Sequence, residues 1–297
     1  MDLSQAQFKI WFLSIRPKTL PAAAGPVLIG TALAYGDRPI HIGIFLATIL
    51  AALLIQIGTN LSNDYFDYVK GVDTKERTGP VRATQAGLVS PAAMMWASVG
   101  IFGLAAVLGL YLISRGGWPI MVIGILSILS GILYTAGPLP LGYVGLGELF
   151  VLLFFGPVAV GGTYYLQTHL INPIVIIAGL APGLISTAIL AVNNLRDRRT
   201  DKAAGKKTLA VRMGRRFGVF EYIICVVMAS FIPVVVCWIA KGHYGCLISL
   251  LAFPVAWKSI YAVYLKGDDA LSCNQVLGDT GKFLILFSVL FSAGWML

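Results

Sequence analysis

Asn60, Asp64 and Asp67 are spaced i, i+4 and i+7 within Asn60-Leu-Ser-Asn63-Asp64-Tyr-Phe-Asp67-Tyr-Val-Lys70-Gly71-Val-Asp73, where a long apolar segment gives way to polar residues. At about 100° per residue this spacing puts all three on one helical face. Asn193, Asp197 and Asp201 repeat the idea at i, i+4 and i+8, 133 residues further on. With only 13 acidic residues in the chain, two such clusters at the ends of apolar helices demand a chemical reason. Carboxylates crowded into one pocket repel one another unless a divalent cation joins them. Mg2+ suits this set, because it takes oxygen ligands, commonly one or two carboxylates, and fills its other positions with water and substrate phosphate. No His or Cys accompanies the clusters, which argues against zinc or copper. The candidate metal ligands are Asp64, Asp67, Asp73, Asp197 and Asp201, with Asn60 and Asn193 ligating or orienting. A solvated helix end is the plain alternative for either stretch, and two matched sets weigh against it.

Basic residues are interleaved with the acids. Lys70, Lys75, Arg77 and Arg82 follow the first cluster, and Arg196, Lys202, Lys206, Lys207 and Arg212 surround the second. Acids that hold Mg2+ beside guanidinium and ammonium groups make a diphosphate site; for any single base, the charge bias of a membrane protein explains it equally well. A diphosphate held at a membrane edge above apolar helices implies an amphiphilic substrate with its tail in lipid, and a polyprenyl diphosphate is the natural candidate. Ionisation of its allylic C–O bond would leave a cation for an electron-rich acceptor to capture. Tyr65, Tyr134 and Tyr143 are candidates to stabilise that cation through their ring faces, although interfacial anchoring explains each tyrosine alone.

The elements that position these residues are membrane helices. Of the 297 residues 58% are hydrophobic and 12% charged, whereas charged residues form about a quarter of a soluble domain. A surface so apolar excludes a soluble enzyme and points to an all-α integral membrane protein. Apolar segments long enough to span fall at about 20–36, 40–63, 92–113, 118–136, 146–167, 172–194, 217–240, 244–265 and 281–297, giving nine helices. Pro157, Pro182, Pro233 and Pro254 interrupt some of them, which neighbouring helices tolerate. Residues 1–19 carry Phe8, Trp11, Phe12 and Ile15 at helical spacing, as an interfacial helix or a simple lead-in would. The prolines of the first apolar run and the lack of a small-residue cleavage pattern argue against a cleaved signal peptide.

Lys and Arg set the orientation. An inward N-terminus places 18 of the 22 basic residues inside, leaves Arg38, Arg115 and Lys241 outside, and puts Lys258 within a span. Both Asp clusters then lie on the cytoplasmic side and the C-terminus lies outside. The two cluster-bearing helices run in the same direction, four spans apart, as in a parallel internal repeat. The turn Tyr134–Glu148 between them is rich in Gly and Pro. No linker suggests a second domain. Cys237 and Cys246 flank an expected external turn and could pair, although small buried thiols are the usual case.

With these residues in view, the chain resembles the UbiA-type membrane prenyltransferases, whose two Asn/Asp motifs lie on helices two and six of nine. It is most similar to the MenA branch, the 1,4-dihydroxy-2-naphthoate polyprenyltransferases. Arg16-Pro-Lys-Thr-Leu-Pro21, Asn63-Asp-Tyr-Phe-Asp-Tyr-Val-Lys-Gly-Val-Asp73, Arg77-Thr-Gly-Pro-Val-Arg82, Gly142-Tyr-Val-Gly-Leu-Gly147, Asn193-Asn-Leu-Arg-Asp197 and Gly205-Lys-Lys-Thr-Leu209 carry the likeness. The resemblance covers essentially the whole chain. It implies one polytopic catalytic domain over 1–297 in a bacterial inner membrane, nine helices around a central cavity, and an active site facing the cytoplasm. It further implies transfer of a polyprenyl group from its diphosphate to 1,4-dihydroxy-2-naphthoate, with loss of CO2 and diphosphate, to give demethylmenaquinone. Under that reading Asp64, Asp67, Asp197, Asp201 and Tyr143 are catalytic. Asn60, Asn63, Lys75, Arg77, Arg82, Tyr134, Asn193, Lys206 and Lys207 bind substrate, and Arg16 or Lys18 receives the naphthoate carboxylate. The partners are the two substrates and the bilayer, with no nucleic acid and no obligate protein partner. Other aromatic acceptors, 4-hydroxybenzoate or homogentisate, remain open. A transporter is the rival from another class, though its ionisable residues should gather near the midplane and not at one face.

Overall fold

The computed structural model describes residues 3–72, 79 and 81–297. Asp73, Lys75 and Arg77, singled out above, lie outside the described residues. Helices α1 (Leu3–Ser14), α2 (Pro21–Tyr35), α3 (Ile42–Val69), α4 (Pro91–Gly116) and α5 (Trp118–Leu133) form the first half of the chain. The second half holds α6 (Gly147–Leu153), α7 (Ala159–Thr168), α8 (Pro173–Ala203), α9 (Leu209–Ala240), α10 (Phe253–Lys266) and α11 (Ala270–Met296). A π-helical turn, Phe154–Val158, joins α6 to α7, and a 3-10 segment, Tyr244–Ala252, leads into α10.

Among the described residues seven continuous helical stretches are long and apolar enough to cross a membrane, with the α6–α7 pair and the 3-10 segment plus α10 each forming one. The other two expected spans, α2 and α5, are helices of 15 and 16 residues, short of the ~20 residues that a bilayer core requires. Both cluster-bearing helices outrun their apolar segments: α3 continues to Val69 and α8 to Ala203.

α8 is the hub. Of its apolar window 67% is buried inside the protein, against 22% for α4. It packs on α9, α11, α6 and the π turn. Close approach to the kinked α6–α7 stretch depends on small residues: a Cβ at Gly183 would stand 2.5 Å from the Leu152 carbonyl oxygen, and one at Gly179 would stand 2.9 Å from Pro157 Cα. This small-xxx-small spacing lets helix backbones meet where lipid offers no hydrophobic drive for association. Pro157 and the non-helical Gly156 (φ −115°, ψ −114°) form the kink. Phe283, Phe287 and Phe291 line the buried side of α11. α2 packs against α3 on one side and α8 on the other, so among the described residues the two cluster-bearing helices share no extended interface. All four cysteines are buried thiols.

Candidate active site

The last turns of α3 bury Asn60, Asn63, Asp64 and Asp67, the last only 2% exposed. A carboxylate so deep is costly without compensation, and each of the four meets a different part of the chain. Asn60 Nδ2 donates to the Ile15 carbonyl at 2.8 Å and to Thr19 Oγ1 at 3.1 Å. Those bonds hold the hinge at Arg16, a non-glycine residue in the left-handed region at φ 56°, a conformation that persists only where neighbours enforce it. Asn63 Oδ1 accepts from Thr135 Oγ1 at 2.8 Å, and Lys70 Nζ donates to the Thr135 and Gly137 carbonyls at 2.7 and 2.8 Å. The turn after α5 is thereby docked on α3. Asp64 accepts the Ala83 and Thr84 amides at 3.1 and 3.2 Å, which brings Arg82 over the helix end.

Asp67 is the convergence point. Arg82 Nη2 reaches its Oδ2 at 2.8 Å, the Tyr143 hydroxyl donates to its Oδ1 at 2.5 Å, and Lys206 Nζ lies 3.8 Å from the same oxygen. The Lys206 ammonium also stands 3.5 Å from Asp201 Oδ1, so one cation spans a carboxylate of α3 and a carboxylate of α8. The turn after α8 makes this possible: Gly205 takes φ 74° and Lys206 N bonds the Asp201 carbonyl at 2.9 Å. Lys70 and Lys206 lie over the Tyr143 ring at 5.1 and 4.5 Å from its centroid, within cation–π range. Lys207 N donates to the Tyr143 carbonyl at 2.7 Å and Arg212 to the Val144 carbonyl at 2.9 Å, fixing that loop on the start of α9.

One turn away, Arg196 organises the second set. Its guanidinium forks onto Asp197 at 2.8 and 2.5 Å, and reaches Asn193 Oδ1 at 2.8 Å and Asn274 Oδ1 of α11 at 2.7 Å. Planar bidentate pairing of this kind is specific to arginine. Lys18 Nζ bonds the Asn274 carbonyl at 3.3 Å, which places Lys18 toward α11, while Lys207 exposes its side chain.

Burial, aided by the Lys206 charge and opposed by Asp67, lowers the Lys70 ammonium below the ordinary lysine range. The Tyr134 hydroxyl, at the end of α5, is pushed far up, chiefly by burial and then by the charges of Glu148, Asp201 and Asp67, with Arg16 opposing. Tyr134 therefore keeps its proton and sits within electrostatic reach of both clusters. Beneath it, Glu148 accepts from Asn194 Nδ2 at 2.8 Å. Glu221 of α9 is also buried, and its Oε2 has no hydrogen-bond partner. Glu221 escaped the sequence reading, although a lone acid inside an apolar run was the available signal. The Arg196 fork escaped it too, for want of any local signal.

The arrangement brings Asp67, Asp201, Arg82, Lys206 and Tyr143 together, with Asn63 and Tyr134 alongside and Asn193 and Asp197 one turn off. Its donors are carboxylate, amide and phenol oxygens, and its cations are suited to phosphate. Among the described residues no three His, Cys, Asp or Glu side chains form a metal cage. Two carboxylates bridged by an ammonium nonetheless fit a hard cation that draws its other ligands from water and phosphate.

Residues 23–292 match the UbiA prenyltransferase family. The 1,4-dihydroxy-2-naphthoate octaprenyltransferase of Escherichia coli is 37% identical, over 96% of this chain and 94% of its own. The Haemophilus influenzae protein of the same name is 34% identical over 98% and 97%. Among solved structures, a UbiA homologue from Archaeoglobus fulgidus bound to GPP and Mg2+ superposes with a TM-score of 0.68 at 15% identity, covering 97% of this chain and all of that one. Fold, paired Asn/Asp motifs and near-full-length relatives agree, and the chain belongs to the UbiA prenyltransferase family.

Proposed function

We propose that this protein transfers a polyprenyl group from polyprenyl diphosphate to 1,4-dihydroxy-2-naphthoate, releasing CO2 and diphosphate and giving demethylmenaquinone. The observation that carries the reading is the Lys206 ammonium shared by Asp67 and Asp201: the two motifs present their carboxylates to one positive charge. Near-full-length likeness to two proteins named as 1,4-dihydroxy-2-naphthoate octaprenyltransferases supports the acceptor.

In this reading Asp67 and Asp201, joined by Asp64, Asp73, Asp197, Asn60 and Asn193, hold Mg2+ at the diphosphate. When bound, Mg2+ neutralises charge that develops on the leaving diphosphate. Arg82, Lys206 and Lys207, with Lys75 and Arg77, supply fixed positive charge to the same oxygens. The Tyr143 hydroxyl orients Asp67. Tyr134, held protonated, offers its ring face to the allylic cation. Arg16, beside Tyr134, is the better placed of the two bases suggested for the naphthoate carboxylate, since Lys18 points to α11. Residues 1–297 act as one unit of nine spans around a central cavity, multi-pass in a bacterial inner membrane. The N-terminus and the active site face the cytoplasm and the C-terminus lies outside, with α2 and α5 as short spans.

The test is prenyl transfer by the full chain in nanodiscs, with Mg2+, a polyprenyl diphosphate and one of 1,4-dihydroxy-2-naphthoate, 4-hydroxybenzoate or homogentisate. Demethylmenaquinone formation that EDTA abolishes, and that Asp67→Ala or Asp201→Ala reduces at least ~100-fold, is the expected outcome. Product from another acceptor alone would overturn the naphthoate assignment, and EDTA-resistant turnover would overturn the metal.

A further inference from the structure

Cys237 closes the last turn of α9, and Cys246 lies two residues into the 3-10 segment after the turn 241–243. Both are buried, at 4% and 0% exposure. Their sulfurs stand 3.1 Å apart, closer than the ~3.5–4.0 Å at which even two carbon atoms rest, and sulfur is the larger atom. An approach of about 1 Å would bring them to the ~2.04 Å of a covalent bond. The turn between them is shaped for closure. Lys241 takes the left-handed φ 46°, its amide bonds the Cys237 carbonyl at 3.1 Å, and the His243 carbonyl accepts both the Cys246 amide at 3.2 Å and the Cys237 thiol at 3.4 Å. Among the described residues neither Cys225 nor Cys273 has another sulfur as a hydrogen-bond partner.

We propose that Cys237 and Cys246 are a disulfide site, oxidised in the mature protein on the extracytoplasmic face. The proposal rests on the outward placement of this turn, which follows from the small basic count on its side and from an oxidising compartment there. The step is thiol–disulfide exchange with a disulfide-bearing oxidoreductase. One cysteine, as thiolate, attacks the donor disulfide and releases one donor thiol; the second attacks the mixed disulfide and releases the other. The donor takes up the two electrons and leaves as a dithiol, and the protein loses two hydrogens. Exchange precedes burial, because sulfurs this enclosed react poorly once packed. The closed loop clamps the turn bearing His243, which stacks on Trp295 at 3.9 Å. That pair lines a cavity of about 190 Å3 with Asp37 and Tyr164, whose hydroxyl bonds the Asp37 carboxylate at 2.5 Å.

The test uses the full chain expressed in its membrane, quenched with N-ethylmaleimide under denaturing conditions and mapped by mass spectrometry. Cys225 and Cys273 should alkylate at once, while Cys237 and Cys246 appear as one linked peptide lighter by two hydrogens and alkylate only after reduction. Reductant should lower the unfolding midpoint of the wild type by ~5 °C and leave Cys237→Ser/Cys246→Ser unmoved. Four thiols alkylated without reductant would overturn the pairing. A membrane-impermeant amine reagent scores Lys241 in the same vesicles: labelling from outside with free thiols refutes the pairing itself, and labelling from inside alone refutes it through the topology. Prenyl transfer assayed on the same membranes reads the catalytic proposal separately.

Discussion

Tyr143→Phe isolates one interaction at the centre of the site. The substitution keeps the ring that Lys70 and Lys206 cover and removes only the hydroxyl that donates to Asp67 Oδ1 at 2.5 Å. A hydrogen bond to a charged group contributes about 1.5–3 kcal/mol, and ~2 kcal/mol corresponds to about 30-fold in an equilibrium constant at 1.36 kcal/mol per tenfold. Asp67 keeps Arg82 at 2.8 Å, so its carboxylate retains that partner but loses one of the groups that fix its orientation. If that orientation serves Mg2+, the loss appears as metal affinity, where supporting partners of ligands typically count for about 10–100-fold. The assay is prenyl transfer in nanodiscs against Mg2+ concentration at saturating substrates. The half-saturating Mg2+ concentration should rise about 30-fold, with the rate at saturating Mg2+ within about threefold of wild type. An unchanged Mg2+ requirement with a large fall in the saturated rate would refute this and place the hydroxyl on the reacting groups instead. Tyr143→Leu adds removal of the ring, and a further loss of about 0.5–2 kcal/mol would measure its two cation contacts.

Arg196→Met removes the fork from Asp197 and the ties to Asn193 and Asn274. Breaking so buried a pair should destabilise the protein by about 3 kcal/mol in a detergent unfolding titration, and Arg196→Lys should recover little because an ammonium lacks the planar fork. Gly183→Ala sets a methyl 2.5 Å from the Leu152 carbonyl oxygen, so the backbone of α8 or α6 must shift at about 1–3 kcal/mol, read in the same titration. Lys70 has its pKa lowered by burial first and by Lys206, with Asp67 opposing. The folded protein therefore binds fewer protons at Lys70 than the unfolded chain does between the lowered value and the usual 10.5. Stability relative to Lys70→Met should accordingly rise with pH across that window and level off above it; a fall with pH would contradict the lowered value.

How much of this was legible depended on the range of each interaction. The Asn/Asp sets declared themselves because polar residues inside apolar helices are rare, and among the described residues hydropathy located seven helical stretches long enough to span and two shorter apolar helices. Hydropathy ended two of them early: α3 and α8 carry on to Val69 and Ala203 because hydrogen bonds from distant segments stabilise their polar last turns. The one-face spacing of Asn60, Asp64 and Asp67 marked them as candidate groups for holding Mg2+. That face is also where segments dock, with Ile15 and Thr19 on Asn60, Ala83 and Thr84 on Asp64, and Arg82, Tyr143 and Lys206 on Asp67. No spacing rule encodes partners that lie 15 to 139 residues away along the chain. The consequence is mechanical as well as chemical. Each segment delivers a cation or a phenol to the site by first bonding the α3 face, so replacing Asn60 or Asp64 should displace Arg16 or Arg82 along with any metal. Activity lost in those variants therefore cannot be credited to metal ligation until Mg2+ affinity and the pairing of Arg82 with Asp67 have been measured separately.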